Sequence, residues 1–128
     1  ADLIVTVGGA SVGDHDLVRA AAEALGLSLK VASVNVRPGK PTFFGTLADG
    51  RRLLGLPGNP ASAFVCAELF LKPLICAYAG APAEPALVGA RLAQPLGGNG
   101  PREHWMRAKL SFQDGDGPGG GHGRGSLG

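Results

Sequence analysis

Three short stretches carry residue types suited to handling anions. They are Gly8-Gly9-Ala10-Ser11-Val12-Gly13-Asp14-His15-Asp16, Arg37-Pro38-Gly39-Lys40-Pro41 and Pro57-Gly58-Asn59-Pro60. In the first, a glycine pair lets the backbone turn tightly and approach a ligand. Free N–H groups at a following helix start then suit a phosphate. A tight strand-to-helix turn is the simpler account of the same residues. Asp14 and Asp16 flank His15, and acids favour helix N-termini, where Asp14 can cap. Beside a bound anion, the two acids make sense if a divalent cation bridges them. His15 reads as a surface residue.

The second stretch sets two cations around a Pro-Gly turn. Prolines restrict the backbone and lower the entropy lost in presenting the charges. Arg37 would act as a fork and Lys40 as a point charge on an oxyanion. Two solvated surface cations are the plain alternative. In the third stretch, Asn59 suits a helix N-cap and Pro60 the first helical position. Capping explains both residues, but it leaves unexplained the bracketing of the turn by Pro57 and Pro60. In an open α/β sheet, loops at the carboxyl ends of strands share one crevice.

Gly9-Ala10-Ser11-Val12-Gly13 also fits G-x-S-x-G, the nucleophile elbow of serine hydrolases, and it follows a strand and precedes a helix. Asp49 and His104 stand in the right order to complete a triad with Ser11. Two features weigh against that rival. Such folds need a longer chain, and their helix starts directly after the serine, whereas residues 12–16 intervene here.

These loops need elements to hold them. Residues 2–7 form a β-branched apolar run expected to be a buried parallel strand. Leu17, Val18, Ala21, Ala22 and Leu25 recur at helical spacing, with Gly26 as the stop. Residues 29–36 read as a strand. Residues 42–47 and 51–56 flank Ala48-Asp49-Gly50, a hairpin signal. A helix is expected over 60–78, kinked or split at Pro73. Residues 87–96 and 105–112 are further strands. From 113 onward the sequence is Gly-dominated and cannot bury a core, which predicts disorder. The expected organisation is an α/β domain over 1–80, a linker and the start of a small β domain over 81–112, and a disordered tail over 113–128.

Composition sets outer limits. The chain has 128 residues, 45% of them hydrophobic, and a net charge of +2. That is enough for one folded domain, and it offers no polybasic stripe for nucleic acid. Cys66 and Cys76 are ten residues apart in the expected helix, about 15 Å of rise, too far for a disulfide between them. They read as buried small hydrophobes in a reducing compartment. No secretory signal is visible in residues 1–7. The apolar stretch 61–79 carries Glu68, Lys72 and Pro73, and reads as a core helix rather than a membrane span. The strand-like start at Ala1, with no initiator Met, is expected to lie inside a larger protein.

In combination, the three motifs, the last continuing as Leu56-Pro57-Gly58-Asn59-Pro60-Ala61-Ser62-Ala63, resemble the MoeA-type molybdopterin molybdotransferase family, which includes the gephyrin E domain. Order and spacing match over roughly residues 1–110. Pterin-binding domains of the Mog and CinA types share the glycine loop without the other two motifs. The resemblance implies a three-layer α/β, Mog-like molybdopterin-binding domain, incomplete at its N-terminus, followed by the start of a small β domain. It implies hydrolysis of adenylylated molybdopterin, transfer of molybdate to the pterin dithiolene and release of AMP, with Mg²⁺ as helper, in a cytoplasmic homodimer that binds neither nucleic acid nor membrane. Gly8, Gly9, Ser11 and Gly13 would line the phosphate site. Asp16 and Lys40 would be catalytic, with Arg37 beside the oxyanion. Pro57, Gly58, Asn59 and Pro60 would shape the pocket, and Asp14 and Asp16 would hold the metal. A gephyrin-type scaffold is the second reading, though no partner-binding signature is visible.

The chain departs from the family in three places. An earlier strand and two N-terminal domains are not in this sequence. Ser33 stands where some members carry lysine. After about Phe112 the likeness to the family's C-terminal β domain ends. The piece alone is therefore expected to be inactive.

Overall fold

The computed structural model describes residues 1–9, 17–85, 87–112 and 125–127. The β-branched run becomes β1 (Leu3–Val7), and the amphipathic segment after it becomes α1 (Leu17–Ala24). Next come β2 (Ser28–Val31), β3 (Val36–Arg37), β4 (Phe43–Thr46) and β5 (Arg52–Leu56). The helical region follows as α2 (Pro60–Cys66), a π-helical turn (Ala67–Leu71) and α3 (Lys72–Ala79). The remaining strands are β6 (Ala90–Leu92), β7 (Glu103–His104), β8 (Leu110–Ser111) and β9 (Gly125–Leu127). Contacts divide these elements into two units, one of Ala1–Ala83 with Arg102–Trp105, the other of Glu84–Pro101 with Met106–Gly128.

The first unit is built on a mixed sheet in the order β1-β5-β4-β2. β1 runs parallel to β5, from Leu3 opposite Arg52 to Val7 opposite Leu56. β4 is antiparallel to both β5 and β2. The parallel orientation expected of β1 is therefore present. Its expected burial is not, because β1 is an edge strand on which Val5 and Val7 are exposed.

Side chains alternate across the sheet, as the two-residue period of a strand requires. Leu53, Phe43 and Ile4 join Ala22 and Val18 of α1 on one face. Leu54, Leu56, Phe44 and Leu3 join Cys66, Ala67, Phe70 and Leu71 on the other. The result is three layers: α1, the sheet, and the helical run after β5.

Local sequence explains the joints. In the β4–β5 hairpin, Gly50 N donates to Leu47 O (2.9 Å) and Leu47 N to Arg51 O (2.8 Å). Gly50 has φ +86°, which any Cβ would resist. The Asp-Gly signal thus yields a three-residue loop closed by a left-handed glycine. Asn59 caps α2: its Oδ1 accepts from Ser62 N (3.1 Å), and Pro60 opens the helix.

The split expected at Pro73 takes a specific form. A proline ring crowds the carbonyl four residues earlier. The chain inserts the π-turn just before Pro73, with Lys72 N donating to Ala67 O, and α3 restarts with Pro73 in its first turn. The run Pro60–Ala79 has the length and mean hydropathy (20 residues, 1.5) to cross a membrane by composition alone. In the structure its Cys66, Ala67, Phe70 and Leu71 lie on the sheet. Lys72 Nζ pairs with Glu68 (2.8 Å), and the bridge raises the lysine's pKa.

The single strand expected over 29–36 is not formed. β2 ends at Val31, after an irregularity between Leu29 and Val31 in its pairing with β4. The chain then leaves the sheet, and β3 pairs instead with the distant β7, Val36 opposite Glu103. In the second unit, β9 lies between β6, to which it is parallel, and β8, to which it is antiparallel. β9 falls within the Gly-rich segment from which no ordered core was expected.

Candidate functional site

Parallel pairing of β1 with β5 brings the ends of both strands to one edge of the sheet. Gly8 follows β1 directly, and its N–H donates to Leu56 O (3.1 Å), the last residue of β5. Pro57 and Gly58 come next on that side. The two backbones approach so closely that a Cβ on Gly58 would stand 3.2 Å from Gly8 Cα. A side chain at Gly58 would push the loops apart, whereas Gly8 is required for its backbone, at φ +86°. Gly9 packs against α1, where a Cβ would overlap Val18. Gly8 and Gly9, the described start of the first motif, therefore meet the third motif above the β1 and β5 ends.

The second motif comes to the same edge by way of β4. Phe43, the first residue of β4, pairs with Gly55 near the end of β5. The turn over 37–42 immediately precedes it. Thr42 N donates to Gly39 O (2.9 Å) and Val34 N to Lys40 O (3.1 Å). Trp105 N donates to Arg37 O (2.8 Å), so β7 ties down the turn's first residue. The Arg37-Pro38 peptide is cis.

Arg37 and Lys40 are exposed. Among the described residues neither makes an ion pair, whereas Arg19, Arg51 and Lys72 each hold an acid. Two cations without an acidic partner, beside glycine loops, form an arrangement suited to an anion.

Pro57 is buried at the base of its loop, while Gly58, Asn59 and Pro60 are exposed on it. Asn59 Oδ1 is engaged with Ser62, so capping is its visible work. Ser11, Gly13, Asp14 and Asp16 lie outside the described residues. The triad imagined for Ser11 meets an obstacle in Asp49. That residue sits in the β4–β5 turn, at the start of β5 and so at the opposite edge from Gly8, where its carboxylate grips Arg51 (2.6 Å). Among the described residues, no group of three or more His, Cys, Asp or Glu side chains is placed to hold a metal ion.

A family profile described as "Probable molybdopterin binding domain" matches residues 1–77. The chain belongs to this family. A molybdopterin molybdenumtransferase of Nostoc is 36% identical, the match covering 99% of this chain and 31% of that protein. One of Staphylococcus aureus is also 36% identical, covering 87% of this chain and 26% of the relative. The molybdenum cofactor synthesis protein cinnamon of Drosophila melanogaster is 43% identical over 62% of this chain and 13% of its own length. Among solved structures, the molybdopterin biosynthesis MoeA protein of Pyrococcus horikoshii superposes with TM-score 0.52 and 35% identity, covering 62% of this chain and 18% of that one. The chain thus spans less than a third of the curated relatives it matches. The matched span of this molybdopterin-binding family member contains all three motifs and the whole β1-β5-β4-β2 sheet.

Two residues that sequence reasoning missed stand beneath the cationic turn. Cys66 Sγ is wholly buried, and Thr42 is 2% exposed. No local signal marks either one, since their contact joins positions 24 residues apart.

Proposed function

We propose that the crevice between the 8–9 and 57–60 loops binds adenylylated molybdopterin, and that the protein takes part in molybdenum cofactor biosynthesis as a molybdopterin molybdotransferase. The observation that carries this reading is the close approach of Gly8 and Gly58, which sets two anion-compatible loops side by side. The cationic turn at the same edge adds to it, and so do the names of the relatives. Gly8, Gly9, Ser11 and Gly13 take the phosphate. Pro57, Gly58, Asn59 and Pro60 shape the pterin side. Arg37 and Lys40 neutralise molybdate and the charge that develops on the phosphoanhydride, and Asp16 assists the hydrolysis that releases AMP. Positioning and charge neutralisation carry most of such a reaction.

Magnesium belongs to the same proposal, with Asp14 and Asp16 as the residues that would hold it. A cytoplasmic setting and a homodimer complete the reading, with the second unit as the start of a small β domain. Residues 1–128 by themselves bind pterin weakly and do not turn over.

Calorimetry with purified adenylylated molybdopterin tests the proposal in the full-length protein. We expect one site per chain, with AMP competing for it. Absence of binding would sink the reading. A fluorophosphonate probe should leave Ser11 unlabelled, and specific labelling there would revive the hydrolase.

A further inference from the structure

We propose that Cys66 and Thr42 are positioning residues that set where Arg37 and Lys40 stand over the crevice. The inference rests on the oxyanion role given above to that turn. Cys66 lies at the end of α2, 0% exposed, directly beneath the turn. Its thiol accepts a hydrogen bond from Thr42 Oγ1 (3.4 Å) and points its own weak donor at Pro38 O (4.0 Å). The hydroxyl and thiol thus form a short relay that grips the turn at both ends, at Pro38 and at Thr42.

Gly39 completes the fit. It is buried with φ +118°, and a Cβ there would overlap Cys66 Sγ. The turn therefore rests on sulfur with no layer between. Arg37 and Lys40 flank the gripped pair Pro38-Gly39, so any shift of Cys66 moves both cations together. The same helix begins at the Asn59 cap. Cys66 therefore joins the cationic turn to the element that carries the 57–60 loop, fixing the spacing of two motifs that the sequence keeps apart. A misplacement of about 1 Å can cost roughly a hundredfold in a reaction that depends on positioning.

The test uses the full-length protein with Cys66→Val, Cys66→Ser and a Leu53→Ala control, which lies in the other core cluster. Hydrogen exchange reads the Val34 and Thr42 amides, whose bonds to Lys40 O and Gly39 O close the turn. Calorimetry with sodium molybdate reads the cations. Cys66→Val should speed exchange at both amides and weaken molybdate binding by about tenfold. Cys66→Ser, which keeps donor and acceptor, should restore most of both. Leu53→Ala should lower Tm without a selective change at those amides. Added to a protein already carrying Arg37→Ala and Lys40→Ala, Cys66→Val should weaken binding little further, because Cys66 acts through those two cations. Unchanged exchange at Val34 and Thr42, or losses that add in full, would overturn the inference. If the unsubstituted protein binds no molybdate, the oxyanion reading fails, and selective exchange at the two amides alone decides whether Cys66 holds the turn.

Discussion

Removing one charge at position 16 separates two uses of the same acid. If Asp16 serves the reaction, Asp16→Asn in the full-length protein lowers adenylate hydrolysis at least about a hundredfold and shifts its magnesium dependence. An exposed acid at a helix start is worth only about 0.3–1 kcal/mol, so the fold should survive. Unchanged turnover would reduce Asp16 to a helix-terminus acid. Gly58→Ala tests the contact that defines the crevice. Its Cβ would press on Gly8 Cα at 3.2 Å, so the loops must part by a few tenths of an ångström. Affinity for the adenylate should fall by roughly tenfold with little change in Tm; an unaltered affinity would show that the loops need not touch. At this scale the sequence was informative wherever chemistry is local. Asn59 and Pro60 announce a helix start because a cap needs only its own neighbours. Cys66 announces nothing, since its partners Thr42 and Pro38 come close only once the sheet has formed.

Secondary elements follow the same division between near and far. The β4–β5 hairpin was legible because Asp49-Gly50 encodes its own turn. Gly50→Ala should cost about 1 kcal/mol in chemical denaturation, the price of a left-handed alanine with nothing nearby to clash. The hydrogen bond from the Arg51 side chain, then that from its backbone N–H, holds the Asp49 carboxyl below the usual carboxylate range. A depressed acid adds stability above its unfolded pKa and loses it as pH falls through the folded one. Tm of Asp49→Asn should thus trail the unsubstituted protein slightly at neutral pH, with the two converging below about pH 4. A gap that persists at pH 2 would assign the effect to the turn's shape instead. By contrast, β3 and β7 pair across more than sixty residues, and no local pattern foretells which two-residue strands will meet. The early end of β2 is equally illegible, because apolar alternation continues past Val31 after the backbone has left the sheet.

For the molecule as a whole, exposed apolar surface is the controlling fact. Val7 is 64% exposed on the edge strand, and Leu17 and Leu25 of the neighbouring helical segment are 75% and 63% exposed. Open, apolar edges invite strand addition, and an edge lysine discourages it. Residues 1–128 should therefore sediment with a mass that rises with concentration, and Val7→Lys should suppress the rise. A monomer at every concentration would show that the edge is inert. The three-layer architecture was legible through the family resemblance of the three motifs, while the residues of β1 taken alone suggest a buried strand, because a β-branched run looks the same at an edge as at a centre.

That edge position makes assembly of the crevice a question of balance. Among the described residues, β1 is fastened to the sheet along one side, by β5. Were it to lift away, Gly8 would leave Gly58 while β5, β4 and β2 stayed paired. An anion gripping both loops would act as a clasp, so its binding and the docking of β1 form one equilibrium. Occupancy would then be recorded in how long the Leu3–Val7 amides keep their hydrogens, as well as in the pocket itself.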